Sequence, residues 1–139
     1  MLSQEVVLHR LSRLEHYIKR LREVSVHSRE QYLASEDLQD KAERNLQLAI
    51  ECLIDIGNHI VSSEKLGPPD TYADIFKMLG KAGIYPPAFG EKLAAMAGFR
   101  NILVHDYLSK DPRKVYDNLS LIDDFISFAG YIEAYLQSR

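Results

Sequence analysis

Residues 100–107 read Arg-Asn-Ile-Leu-Val-His-Asp-Tyr and bring four chemically distinct groups into eight positions. Arg100 supplies a permanent cation, and a guanidinium fork donates two parallel hydrogen bonds to a phosphate or carboxylate. His105 supplies an imidazole, the side chain whose ordinary pKa of ~6.5 suits proton transfer near neutral pH. Asp106 adds a carboxylate and Tyr107 a phenol. A cation beside a proton-transfer group fits a reaction in which a proton moves while negative charge builds on an anionic substrate.

The register of the preceding residues sharpens this reading. Phe89, Leu93 and Met96 are spaced four then three, and the next two slots of that series are Arg100 and Leu103. Arg100 therefore holds a position that belongs to a core or a partner helix. A charge there is costly unless it is paired or opens into a polar cavity. The same slot also fits an Arg that snorkels or makes a purely structural ion pair. Five helical residues turn through ~500°, so Arg100 and His105 on one continuous helix would diverge by ~140°. Either the helix ends between them or two copies of the chain build the site together, and both can hold. Asn101 is placed to touch the anion or to fix Arg100, or is a surface amide. Asp106 is adjacent to His105, and neighbouring side chains rarely face each other, so it is expected exposed or behind the site.

Composition bounds the alternatives. The 139 residues are 46% hydrophobic and 27% charged, with no Trp, seven Gly and five Pro. That is the profile of one soluble domain spanning 1–139, with a core of ordinary size. A net charge of −3 excludes a protein that coats nucleic acid by bulk charge, though a local basic groove remains open. The single Cys52 lies among Ile50, Leu53 and Ile54 and reads as a buried thiol. The five His are scattered, with no pair four apart and no His-Glu-x-x-His, so no metal site and no cofactor are expected. No apolar run is long enough to span a membrane, and charges at Glu5 and Arg10 interrupt any signal-peptide core, so a cytoplasmic setting is expected.

The elements that must position the octet are helices. Val7, Leu11, Leu14, Ile18 and Leu21 alternate four and three, while His9, Arg13, His16 and Arg20 repeat on the other side. That basic stripe is either a track for phosphates or a solvated face, and the solvated face is the commoner case. Ser28 and Gln31 have capping-box spacing. A long helix is predicted over about 36–64, stopped by Gly67-Pro68-Pro69. Asp70 or Thr71 caps a short helix that Gly83 ends. Pro86-Pro87 starts the helix carrying the octet, and Asp111-Pro112 opens a last one with Val115, Leu119, Ile122, Ile126 and Ala129 inward. The fold class is all-α, an up-and-down bundle of four main helices plus a short one. Gly90 and Gly98 share a face of the octet helix, either for close approach of another helix or as simple tolerance.

Arg100, four residues, His105, one residue and Tyr107 resemble the Arg-x4-His-x-Tyr signature of HEPN domains, in particular the HepT-like toxin ribonucleases. The stretch from Leu48 to Ile60 is similar to the family's second long helix. Tyr72 to Gly83, with Ile84 and the Pro pair, resembles its short helix and the turn beyond it. His59 sits in the first of these segments and so near the cleft by analogy, although a core or surface His is the simpler reading. The resemblance covers most of the chain.

That resemblance implies a metal-independent endoribonuclease with Arg100 and His105 as catalytic groups and Asn101 and Asp106 as substrate-binding or supporting ones. It implies a homodimer whose paired motifs line a shared groove. It also implies an RNA substrate, and a cognate MntA-like nucleotidyltransferase antitoxin that transfers AMP to Tyr107. The apolar seam of Leu93, Met96 and Leu103 is expected in the dimer interface. A non-catalytic HEPN module that binds nucleotide or docks a nucleotidyltransferase is the alternative, and a structural helical dimer the plainest one.

Overall fold

A computed structural model describes residues 2–105 and 111–139 of the chain. Its elements are α1 (Gln4–Ser25), α2 (Arg29–Leu33), α3 (Glu36–Ser63), α4 (Tyr72–Lys81), α5 (Pro87–His105), α6 (Pro112–Asp117), a 3-10 turn (Asn118–Ser120) and α7 (Leu121–Gln137). No strand occurs among the described residues. The expected all-α bundle is present: α1, α3, α5 and α7 are its long members and α4 the short one. Two further short helices, α2 and α6, complete it.

Local chemistry sets the boundaries. Ser3, Ser28, Ser35, Thr71 and Asp111 each accept a hydrogen bond from an amide in the first turn of the helix that follows, which satisfies an otherwise orphaned donor. Ser28 with Gln31, and Thr71 with Asp74, form complete capping boxes. Beyond α3 the chain turns through Lys65 and Gly67, both at positive φ, and Gly83 does the same after α4.

The core is organised around α3. Leu46, Ile50, Leu53, Ile56 and Ile60 are fully or almost fully enclosed by Val7, Leu14 and Leu21 of α1, Phe76 and Leu79 of α4, Leu93 of α5 and Phe125, Phe128 and Ile132 of α7. One contact fixes the turn into α5 and another fixes α5 itself. The Tyr85 hydroxyl donates to the Phe76 carbonyl at 2.8 Å, and Lys92 pairs with the buried Asp124 of α7 at 2.8 Å. Gly90 lets α5 approach α4: a Cβ there would sit 2.7 Å from the Phe76 carbonyl oxygen. So Gly90 is required by close packing and is not merely tolerated. A Cβ at Gly98 would meet nothing within 4 Å among the described residues.

Three expectations are corrected. Leu93, Met96 and Leu103 are buried inside their own chain, at 0%, 3% and 5% exposure, and are not available to a dimer interface. The last helix is interrupted by the 3-10 turn at Asn118–Ser120. With three residues per turn in place of 3.6, that segment advances the helical phase by roughly 60°. Downstream, Phe125 and Phe128 take the inward positions, and Ile126 is left 40% exposed.

Candidate active site

Arg100 leaves α5 toward the junction with α3 and α4. Its Nη2 donates to Glu51 Oε2 at 3.0 Å, and its Nη1 donates to Asn101 Oδ1 at 3.2 Å. The guanidinium carbon lies 5.3 Å from the centre of the Tyr72 ring, within cation–π range. Its side chain is 16% exposed and that of Glu51 is 30% exposed. The Nε atom is enclosed and has no hydrogen-bond partner among the described residues. The cation in the apolar register is thus paired, as its slot demands, yet its enclosed Nε–H is unspent among the described residues.

Each partner is held from its own element. The Thr71–Asp74 capping box begins α4 at Tyr72, which places that ring over the guanidinium. Glu51 lies in the middle of α3, and Gln47 one turn earlier donates to the same Oε2 at 3.2 Å. Neither Glu51 nor Tyr72 stands out in the sequence. A Glu within the apolar half of a helix marks a polar contact only after the facing helix is known.

His105 is exposed and is the last residue of α5, which runs without interruption from Arg100 to it. The helix therefore does not end between them, and the ~140° divergence stands. Ala95, Gly98, Ile102 and His105 are all exposed and fall within an arc of ~80° on one side of α5. The structure brings Arg100 and Asn101 together and sets His105 on a different face. Asp106 and Tyr107 lie outside the described residues.

The remaining candidates sort cleanly. His59 accepts at Nε2 from the Ser3 amide at 3.0 Å, so it fastens the start of α1 to α3. Burial pushes the Cys52 thiol up to about 11, well above the range of a reactive thiol. His9, Arg13, His16 and Arg20 are exposed along α1, and Arg13 both stacks on Tyr17 and donates to its hydroxyl. Among the described residues no three His, Cys, Asp or Glu side chains converge as a metal site, and no helix is long and apolar enough to cross a membrane.

A largely enclosed guanidinium held by one carboxylate and one amide, over an aromatic face, can bind a phosphate by exchange of the carboxylate. An exposed imidazole at a helix end can move protons. Residues 14–132 match the family model described as Ribonuclease HepT-like. The chain is 34% identical over 128 residues to a tRNA nuclease HepT from Aphanizomenon flos-aquae, covering 91% of this chain and 87% of that protein. It is 33% identical over 103 residues to an mRNA nuclease HepT from Shewanella oneidensis, covering 74% of this chain and 77% of the relative. Its fold is similar to that of the tri-AMPylated Shewanella oneidensis HEPN toxin solved in complex with an MNT antitoxin. The TM-score is 0.87 and the identity 30%, over 95% of this chain and 99% of that one. With the fold, the Arg-x4-His-x-Tyr octet and these matches in agreement, the chain belongs to the HepT-like ribonuclease family of HEPN proteins.

Proposed function

We propose that this chain is a metal-independent endoribonuclease toxin of a toxin–antitoxin module. Arg100 and His105 cleave RNA in a cleft shared by two copies, and an MntA-like nucleotidyltransferase neutralises the toxin by AMP transfer to Tyr107. The observation that carries the reading is the environment of Arg100: a positioned, largely enclosed cation with an exchangeable carboxylate partner. The relatives named as nucleases and the AMPylated toxin held by its antitoxin support the class of reaction and partner.

The chemistry follows from the groups. A ribose 2′-hydroxyl attacks the adjacent phosphorus while losing its proton. The phosphorane carries the added charge, and the 5′-oxygen leaves with a proton. Arg100 stabilises the phosphorane through charge-assisted hydrogen bonds, and His105 transfers protons. The products are a 2′,3′-cyclic phosphate and a free 5′-hydroxyl. Because α5 points His105 away from its own Arg100, a second copy related by a two-fold axis supplies the missing half. The open α5 face of Ala95, Gly98 and Ile102, next to His105, is the surface this dimer uses. A cytoplasmic setting suits both a free buried thiol and an RNA substrate.

The test is cleavage of a defined RNA by purified protein. His105→Ala and Arg100→Ala are each expected to lose ~10²–10⁴-fold in rate while remaining folded. Cleavage is expected to survive EDTA and to leave cyclic phosphate ends. A strict metal requirement, or full activity in the His105 variant, overturns the mechanism.

A further inference from the structure

In the second half of α3, where most side chains enter the core, four polar ones repeat at four-residue intervals: Gln47, Glu51, Asp55 and His59. Residues four apart on a helix lie on one face, with Cβ atoms ≈5–6 Å apart. Glu51 holds Arg100 of α5 at 3.0 Å. One turn on, Asp55 faces Arg10 of α1, with Nε 3.7 Å from Oδ2. Two arginines from two different helices therefore converge on adjacent turns of α3. Each has a carboxylate as its present anion.

We propose that Arg10 is a second phosphate subsite, one nucleotide along the bound RNA from the phosphate at Arg100. Glu51 and Asp55 are the counter-ions that the strand displaces. This inference rests on the ribonuclease reading above. The two pairs differ in a way that suits the roles. Arg100 is largely enclosed and held through several contacts, as a group at the reacting phosphate must be. Arg10 and Asp55 are about half exposed, at 45% and 50%, and sit beyond hydrogen-bond range, so their contact is easily exchanged. Partial burial holds the Asp55 carboxyl above its ordinary range; Arg10 opposes this and the charge of Glu51 adds to it. A strand phosphate at Arg10 thus replaces a carboxylate that is itself poorly accommodated. Arg13, one turn along α1 and stacked on Tyr17, flanks the same edge. This gives the basic side of α1 a local role that bulk charge would not.

The experiment measures binding of a fluorescent 2′-O-methyl RNA dodecamer, which cannot be cleaved, across a salt series. Each phosphate neutralised on a single strand contributes about 0.7 to the slope of log K against log salt. Arg10→Ala is expected to flatten the slope by about 0.7 and to weaken binding roughly tenfold at fixed salt. Arg10→Lys keeps the charge and is expected to keep the slope. Asp55→Asn removes the competing anion and is expected to tighten binding. An unchanged slope in Arg10→Ala, a slope lost equally in Arg10→Lys, or no gain in Asp55→Asn each overturns the subsite. Should Arg10→Ala fail to fold, Asp55→Asn decides. Cleavage of the same dodecamer with free 2′-hydroxyls is the separate readout of the ribonuclease reading: if wild type binds but does not cleave, that reading fails and the slope still decides the subsite.

Discussion

Arg100 on α5 and Glu51 on α3 are joined by one hydrogen bond of 3.0 Å, from Nη2 to Oε2, while the Nε of the same guanidinium is enclosed without an acceptor among the described residues. A structural ion pair in a core would be expected to use the fork fully, since a buried donor left unsatisfied is costly. Here the carboxylate takes one arm, Asn101 another, and Tyr72 covers the ring face. The pair orients the cation without exhausting it.

Glu51 therefore holds the cation in place until RNA displaces it, and its shape matters more than its charge. Glu51→Gln retains an acceptor for Nη2 and should keep most of the cleavage rate, with KM for RNA unchanged or lower. Glu51→Ala leaves the largely enclosed cation unpaired. It should cost on the order of 1–3 kcal/mol in stability and lower kcat. Urea denaturation and steady-state cleavage measure both. Equal loss in the two variants would show that the negative charge itself is required.

The uninterrupted helix between Arg100 and His105 makes the site testable by mixing. Arg100→Ala and His105→Ala chains are each expected to be inactive alone. If the His of one copy works with the Arg of the other, co-refolding the two variants restores one complete site in each mixed dimer. Random pairing then recovers about a quarter of wild-type activity, since half the dimers are mixed and each has one site of two. No recovery would mean that each chain carries a whole site.

The dimer surface can be located by two substitutions on the same helix. Ile102 is 37% exposed on the open face of α5, and among the described residues Gly98 beside it has nothing within 4 Å of the place a Cβ would occupy. Ile102→Glu should leave the single chain stable to within ~0.5 kcal/mol but give a monomer by light scattering. Leu93→Ala, on the enclosed side, should lose ~2–5 kcal/mol and keep the dimer mass where folded. A dimeric Ile102→Glu protein would move the interface elsewhere.

How much of this was legible in the chain depends on whether the signal was local. Ser28, Thr71 and Asp111 announce their helices because capping is a property of four neighbouring residues. The four-three spacing that put Arg100 in an apolar slot survives in the structure because α5 is continuous. The same spacing misassigned Leu93, Met96 and Leu103, since periodicity reports a buried face without saying whose atoms bury it. It failed again at Ile126, because no Gly or Pro marks the 3-10 turn that shifts the phase of α7. Glu51, Tyr72 and the Arg10–Asp55 contact were not legible at all. Each depends on helices far apart in sequence meeting at a particular height.

Tyr107 lies outside the described residues, two positions past the exposed end of α5 at His105. That proximity limits where an adduct on its phenol can go. An AMP attached there brings a phosphodiester carrying one negative charge, plus a nucleoside, into the neighbourhood that RNA must enter. On the proposed reading, its phosphate competes for the guanidinium fork that the scissile phosphate needs, or repels the incoming strand. Tyr107→Phe preserves the ring for stacking on a base and removes only the acceptor oxygen. The variant is expected to keep its ribonuclease activity and toxicity and to escape neutralisation by a co-expressed MntA-like nucleotidyltransferase. Mass spectrometry of the wild-type chain from the same co-expression should show additions in multiples of AMP on the peptide containing Tyr107. A fully neutralised wild-type toxin with an unmodified Tyr107 would instead mean that the partner silences it by covering the cleft.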